Sequence, residues 1–93
     1  MSALDPASKP RLANRARLQW DEQGQRHVLL FSEAALVLNP TAAETLKLCD
    51  GNRTVDAIVD DLASRFGQEN RATIADHVID LLARIRERGL LES

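Results

Sequence analysis

The hydrophobic pattern of this chain changes at Asn39-Pro40, and this change constrains the fold more than any other feature of the sequence. Before it, apolar and polar residues alternate over residues 17–31 around a polar turn containing Gly24, which predicts an antiparallel hairpin. Ala34–Leu38 adds a third extended segment, because the residue before a proline is pushed towards extended geometry. After the change, apolar residues recur at helical spacing.

Three helices are predicted from residue 41 onward. Thr41 and Glu44 have the spacing of a capping box, Gly51 is expected to end the first helix, and Thr54 is the expected N-cap of the second. The third and longest helix is expected over about residues 71–88. The apolar faces of the three helices are formed by Ala42, Leu46 and Cys49, by Val55, Ile58, Val59, Leu62 and Phe66, and by Ile74, Val78, Leu81, Leu82 and Ile85.

This order of elements predicts an α+β fold with a three-stranded antiparallel sheet followed by three helices, as in a winged helix-turn-helix domain. At 93 residues, the chain is long enough for one hydrophobic core. Residues 15–93 are expected to form this domain. Residues 1–14 are expected to be a flexible N-terminal arm, because two prolines and scattered small polar residues offer nothing to bury.

Several classes of chemistry are disfavoured by the composition. One cysteine and two histidines cannot form a Cys/His zinc site, and four dispersed glycines form no phosphate-binding loop, so no metal or cofactor is expected. Cys49 lies beside Asp50 on an apolar face and is expected to be a small buried residue rather than a nucleophile. The carboxylates lack the apolar surroundings that raise a catalytic pKa, so the chain is not expected to be an enzyme.

The charge balance disfavours a nucleic-acid partner. The chain has 12 basic and 14 acidic residues, a net charge of −2, and phosphate contacts need a positive face. A winged-helix DNA-binding regulator is therefore the weaker alternative. No apolar run could span a membrane and no signal peptide is recognisable, so a cytoplasmic protein without membrane contact is expected.

The segment Ala34–Leu38 is the most informative for function. Leu36, Val37 and Leu38 are consecutive and uncharged, whereas a strand with one wet face should alternate. Three interpretations stay open. An extended peptide adds to the edge of this strand, the rest of the monomer covers both of its faces, or two copies pair through the edge as a structural dimerisation module.

Four short motifs follow one another at fixed spacing over residues 29–91, within a likeness to a known family that covers about residues 10–92. They are Leu29-Leu30-Phe31-Ser32-Glu33, then Leu38-Asn39-Pro40-Thr41-Ala42-Ala43-Glu44, then Leu48-Cys49-Asp50-Gly51 with Thr54-Val55 and Ile58, and finally Arg86-Glu87-Arg88-Gly89-Leu90-Leu91. This ordered set closely resembles the PqqD family of pyrroloquinoline quinone (PQQ) biosynthesis.

The resemblance implies a RiPP recognition element, a non-catalytic chaperone for a ribosomally made precursor peptide. Such a protein binds the precursor PqqA and presents it to the radical S-adenosylmethionine enzyme PqqE. In the wider class, the peptide adds as a strand to the third strand, beside the third helix. Carried onto this chain, the peptide-binding residues would be Ala34, Ala35, Leu36, Val37 and Leu38 on the strand and, judged by spacing, Ala75, Val78, Ile79 and Leu82 on the helix, with Arg71 or Arg86 facing acidic peptide groups.

Two positions depart from the family pattern. Ser32 stands where the family often has proline, so the turn before the third strand is expected to be less rigid. Val37 stands where a polar or charged residue is usual, and its apolar side chain makes self-association through this edge easier. A homodimer formed through the exposed strand edge therefore stays an open alternative.

Overall fold

A three-stranded antiparallel sheet and three helices form the fold, as predicted. The computed structural model describes residues 5–32, 34–66 and 70–92. The sheet has the strand order β2-β3-β4, and a separate two-stranded pair joins β1 to β5. The elements in chain order are β1 (Arg11–Leu12), β2 (Ala16–Asp21), β3 (Arg26–Phe31), β4 (Ala34–Leu38), α1 (Pro40–Lys47), α2 (Val55–Arg65), α3 (Arg71–Glu87) and β5 (Leu91–Glu92).

One aliphatic core lies between the sheet and the helices. Leu29 on the central strand, Ile58 and Leu62 on α2, and Ile74 and Leu82 on α3 are all fully buried. Burying each of these side chains contributes about 1.5–3 kcal/mol. The helical stripes seen in the sequence are therefore the inner faces of α2 and α3.

The start of α1 differs from the predicted capping box at Thr41. Asn39 is the N-cap, and its side-chain oxygen accepts a hydrogen bond from the Ala42 N–H at 2.8 Å. Asn39 is extended because Pro40 follows it, and proline suits the first position of a helix because its missing N–H would be unpaired there. The Thr41 carbonyl instead accepts a hydrogen bond from the Thr45 hydroxyl at 2.8 Å.

The other helix ends follow simple capping rules. Thr54 caps α2, as predicted, by accepting the Ala57 N–H at 3.0 Å. At the end of α3, Gly89 has a φ of +74°, and the Leu90 N–H donates to the Ile85 carbonyl at 2.9 Å. This hydrogen bond and the left-handed Gly89 form a Schellman motif, which turns the chain back towards β5. Gly51 is also left-handed, with a φ of +83°, but it lies beyond the end of α1 at Lys47.

The described part of the N-terminal segment is bonded to the domain, in contrast to the loose arm expected over residues 1–14. Residues 1–4 lie outside the described ranges. Pro10 and Ala13 are buried, so the expectation that this segment has nothing to bury is wrong. The Ser8 carbonyl accepts the Val55 N–H at 2.9 Å, and β1 pairs with β5. The described segment before β2 is thereby held to α2 and to β5.

The turns of the main sheet place two non-glycine residues in the left-handed region. Gln25, rather than Gly24, takes a positive φ of 53° in the turn between β2 and β3. Ser32 has a φ of 50° at the start of the connection between β3 and β4, where residues 32 and 33 separate the paired Phe31 and Ala34. A proline, whose φ is fixed near −65°, cannot adopt this conformation, so Ser32 permits a turn that proline would exclude.

Candidate functional site

The main sheet has two outer strands, and their side chains differ. On the face turned away from the helices, β2 presents Arg17, Gln19 and Asp21, whereas β4 presents Ala35 and Val37. Charged side chains on an outer strand discourage pairing with another chain. Among the described residues, β2 therefore carries this protection and β4 does not.

The side chains of β4 alternate between the core and solvent. Leu38 is buried and Leu36 is half-buried, whereas Val37 between them is 53% exposed. The interpretation in which the monomer covers both faces of this strand is therefore wrong. The three consecutive apolar residues therefore belong to two faces of the strand. Leu36 and Leu38 face the core, and Val37 faces solvent.

The backbone of β4 also has an open side. Phe31 of β3 pairs with Ala34 of β4 next to the turn that joins the two strands, and the remaining pairs of the ladder follow from there. Because hydrogen-bonded and non-hydrogen-bonded pairs alternate in an antiparallel ladder, Ala35 and Val37 direct their N–H and C=O groups away from β3. These groups are available to another strand.

A groove of about 830 Å³ lies between β4 and α3. One wall is formed by the second half of β4 and the beginning of α1, and the other by one flank of α3. The end of α2 closes the groove. The lining residues are Leu36, Val37, Leu38, Asn39, Pro40, Thr41, Ala42 and Thr45 on the first wall, His77, Asp80, Leu81 and Arg84 on α3, and Arg65 and Phe66 at the end of α2.

The arginine and aspartate side chains that line the groove are paired with opposite charges within the domain. Arg65 donates to Glu44 at 2.7 Å, and Arg84 pairs with Asp80 at 2.8 Å. Hydrogen bonds from Lys47, which has the larger effect, and from Arg65 hold the pKa of the Glu44 carboxyl below its usual value. Since these charges are compensated within the domain, the groove is suited to apolar side chains more than to a strongly charged ligand.

The helix residues expected at the site fall elsewhere. Val78 and Leu82 are buried in the core, so neither is accessible to a ligand. Ile79 is 39% exposed but lies about 200° around the helix from Leu81, on the opposite flank from the groove, and the half-buried Ala75 shares that flank. The expected residues therefore lie on α3, but on a flank of that helix that does not line the groove.

The two arginines expected near the peptide do not line the groove. Arg71 donates to Asp56 and Asp60, each at 2.7 Å, and so joins α3 to α2. These two hydrogen bonds raise the pKa of Arg71. Arg86 is half-buried and is absent from the groove lining.

The sequence reasoning missed the groove-lining flank of α3, formed by His77, Asp80, Leu81 and Arg84. Spacing identifies the face of a helix that enters the core, but a groove lies beside that face and could be on either side. Leu81 was the available signal, because it is an apolar residue at the margin of the buried stripe.

Cys49 has the structural role expected of it. Its thiol is buried and donates to the Thr45 carbonyl at 3.3 Å. Burial, with a smaller contribution from the Asp50 charge, raises the pKa of the thiol to about 12. The thiol is therefore protonated at neutral pH and is a poor nucleophile.

Two structural features are absent from the described ranges. No three His, Cys, Asp or Glu side chains there are grouped as metal ligands would be. No helix there combines the length and the apolar character needed to cross a membrane.

Two relatives known from sequence are similar to most of this chain. A PqqA binding protein of Rhodopseudomonas palustris (strain BisB5) is 41% identical over 88 residues, which cover 95% of this chain and 85% of the relative. A PqqA binding protein of Methylococcus capsulatus is 41% identical over 64 residues, or 69% of each chain.

Solved structures share the architecture described above. The solution NMR structure of the PqqD truncation of Methylobacterium extorquens PqqCD, a functional and stand-alone RiPP recognition element, matches with a TM-score of 0.82 and 33% identity, covering 98% of this chain and 96% of that one. The crystal structure of PqqD from Xanthomonas campestris matches with a TM-score of 0.61 and 28% identity, covering 97% and 99%. The family model of coenzyme PQQ synthesis protein D matches residues 26–91. The chain therefore belongs to the PqqD family.

Proposed function

We propose that this chain is a peptide chaperone of PQQ synthesis that binds the precursor peptide PqqA as an added strand on β4 and presents it to the enzyme PqqE. The observation that carries the proposal is the open edge of β4, which is uncharged and lies beside a groove of about 830 Å³. The choice of peptide is supported by relatives that are described as PqqA binding proteins.

An added strand fits the geometry of this edge. It would lie about 4.8 Å from β4 and would exchange hydrogen bonds with the N–H and C=O groups of Ala35 and Val37. Its side chains would alternate between the two faces of the sheet. One set would enter the groove beside Leu36, Phe66 and Leu81, so backbone pairing would supply affinity and the groove would supply selectivity.

DNA binding is the weaker alternative for physical reasons. Arg71 is held by Asp56 and Asp60, and Arg84 by Asp80, so two cations of α3 are already neutralised. A helix that enters a DNA groove needs its cations free to contact phosphates. Affinity for duplex DNA that falls steeply with salt concentration would favour this alternative over peptide binding.

Amide hydrogen exchange followed by NMR tests the mode of binding. The isotope-labelled chain is titrated with synthetic PqqA, and exchange at the amides of Ala35 and Val37 is expected to slow because each would gain a hydrogen-bond acceptor. The amides of Leu18 and Trp20, on the open side of β2, provide an internal control that should not change. Unchanged exchange on β4, or chemical-shift changes confined to α2, would contradict strand addition.

Presentation to PqqE is tested by reconstitution. The resemblance to the PqqD family implies that PqqE joins a Glu and a Tyr side chain of PqqA, and this cross-link is measured with and without the chain. Cross-linking is expected to depend on the chain and to be lost when strand addition is blocked. A mass that increases with concentration, with no affinity for PqqA, would instead indicate a dimerisation module that pairs through β4.

A further inference from the structure

The outer face of the sheet, which is turned away from the helices, carries a block of aliphatic side chains beside the open edge. Val28 on β3 lies opposite Val37 on β4, and Leu30 lies opposite Ala35. Val37 and Ala35 are exposed, and Val28 and Leu30 are half-buried. These four residues are called the outer aliphatic patch.

The outer aliphatic patch has one polar border and one open border. On the side of β2, Arg17 lies opposite Leu30 and Gln19 lies opposite Val28, so polar side chains limit the patch there. On the other side, the patch reaches the edge of β4, where no described residue of this chain continues it. A strand paired with β4 would therefore extend the patch across this open border.

We propose that the outer aliphatic patch is a second recognition surface for the peptide, which contacts apolar side chains at the outward-facing positions of the strand added to β4. The inference rests on the proposed function. A strand paired with β4 must place every second side chain on this face, with its Cβ about 4.5–5.5 Å from that of the residue opposite. The residues opposite Ala35 and Val37 are thus placed beside aliphatic groups that would otherwise face water.

This arrangement defines the kind of peptide that is preferred. The inward-facing side chains meet Leu36, Phe66 and Leu81 in the groove, and the outward-facing ones meet the outer aliphatic patch. A peptide segment with apolar residues at consecutive positions contacts both surfaces. A strictly alternating amphipathic segment places its apolar side chains against only one of the two surfaces.

Substitutions at Val37 test the inference, with synthetic PqqA as the probe and calorimetric titration as the measurement. Val37→Thr keeps the shape and the backbone N–H but introduces a hydroxyl, and it is expected to weaken binding about twofold to fivefold. Val37→Ile enlarges the apolar contact and is expected to tighten binding. Ile79→Thr makes a comparable change to an exposed aliphatic residue on the far flank of α3, and it should leave the affinity unchanged.

The outcomes separate this inference from the proposed function. Equal affinities for both Val37 variants and the parent, together with weaker binding by Leu81→Ala in the groove, would overturn the role of the patch and leave strand addition standing. An equal loss in Ile79→Thr and Val37→Thr would also overturn the role of the patch, because it would indicate a general effect on the fold. Failure of the parent chain to bind PqqA would refute the proposed function itself.

Discussion

Replacing Val37 with proline should separate strand addition from folding. The N–H of Val37 points away from β3, so its removal takes no hydrogen bond from the β3–β4 ladder. The side chain is 53% exposed, so little buried apolar area is lost. The proline ring nevertheless removes the donor that an added strand needs and places its bulk at the open edge.

The two expected free-energy changes differ in size. Loss of one hydrogen bond to the peptide costs about 0.5–1.5 kcal/mol, which weakens binding about twofold to twelvefold before the bulk of the ring adds to it. Unfolding should become easier by no more than about 1 kcal/mol, or about 4–8 °C in Tm. Leu36→Pro provides the contrast, because Leu36 pairs with Leu29 and faces the core. It should cost about 2–4 kcal/mol of stability.

Calorimetric titration with synthetic PqqA and thermal unfolding followed by circular dichroism measure both quantities on the same samples. Val37→Pro should remain folded and bind PqqA poorly. Parent-like affinity in a folded Val37→Pro would refute pairing at this position. A loss of stability as large as that of Leu36→Pro would refute the assignment of the Val37 amide to the open edge.

Three further substitutions or treatments test other parts of the structure. Ser32→Gly should raise the free energy of unfolding in urea by about 0.5 kcal/mol. Glycine removes the cost of a left-handed φ, and this gain exceeds the entropy that glycine adds to the unfolded chain. Lower stability of the variant would show that the serine is unstrained. Cys49, whose pKa is raised to about 12, should react with a disulfide reagent at pH 8 only as fast as the domain opens, and fast labelling of the folded protein would contradict its burial. Because Lys47 and Arg65 lower the pKa of Glu44, its contribution to stability is present above about pH 4.5 and is lost as the pH falls through the lower folded-state pKa. Tm measured against pH should therefore fall less steeply in Glu44→Gln than in the parent below about pH 4.5, and identical slopes would exclude this contribution.

The order and type of the main elements were predictable because they depend on local periodicity. Alternation identified β2 and β3, and Pro40 indicated the extended segment of β4 before it. The 3.6-residue spacing identified the helices, and Thr54 marked the start of α2 correctly. The start of α1 was misplaced because two overlapping signals compete there, and Asn39 with Pro40 prevails over the capping box at Thr41. The pairing of β1 with β5 could not be foreseen, since it joins two-residue segments from opposite ends of the chain.

The candidate site was predictable only in part, for a physical reason. The strand was identifiable because its consecutive apolar residues conflict with a half-exposed strand. The accessible flank of α3 was not, because it depends on how α1 and α2 pack against that helix. Arg71 illustrates the difficulty: its charge suggested a ligand, but tertiary packing brings it to Asp56 and Asp60.

The two outer strands of the sheet provide a comparison within one molecule. Both have a free row of backbone groups, yet Arg17 and Asp21 make β2 a poor partner for another strand, whereas Ala35 and Val37 leave β4 receptive. Val37 contributes little to the core because more than half of it is exposed, so folding of the isolated domain does not require an aliphatic residue there. An exposed apolar outer strand increases the risk of self-association without a matching gain in stability. The chemistry of β4 therefore supports the proposed addition of a strand to this edge, and a polar residue at position 37 should leave the domain as stable as before while altering what that edge binds.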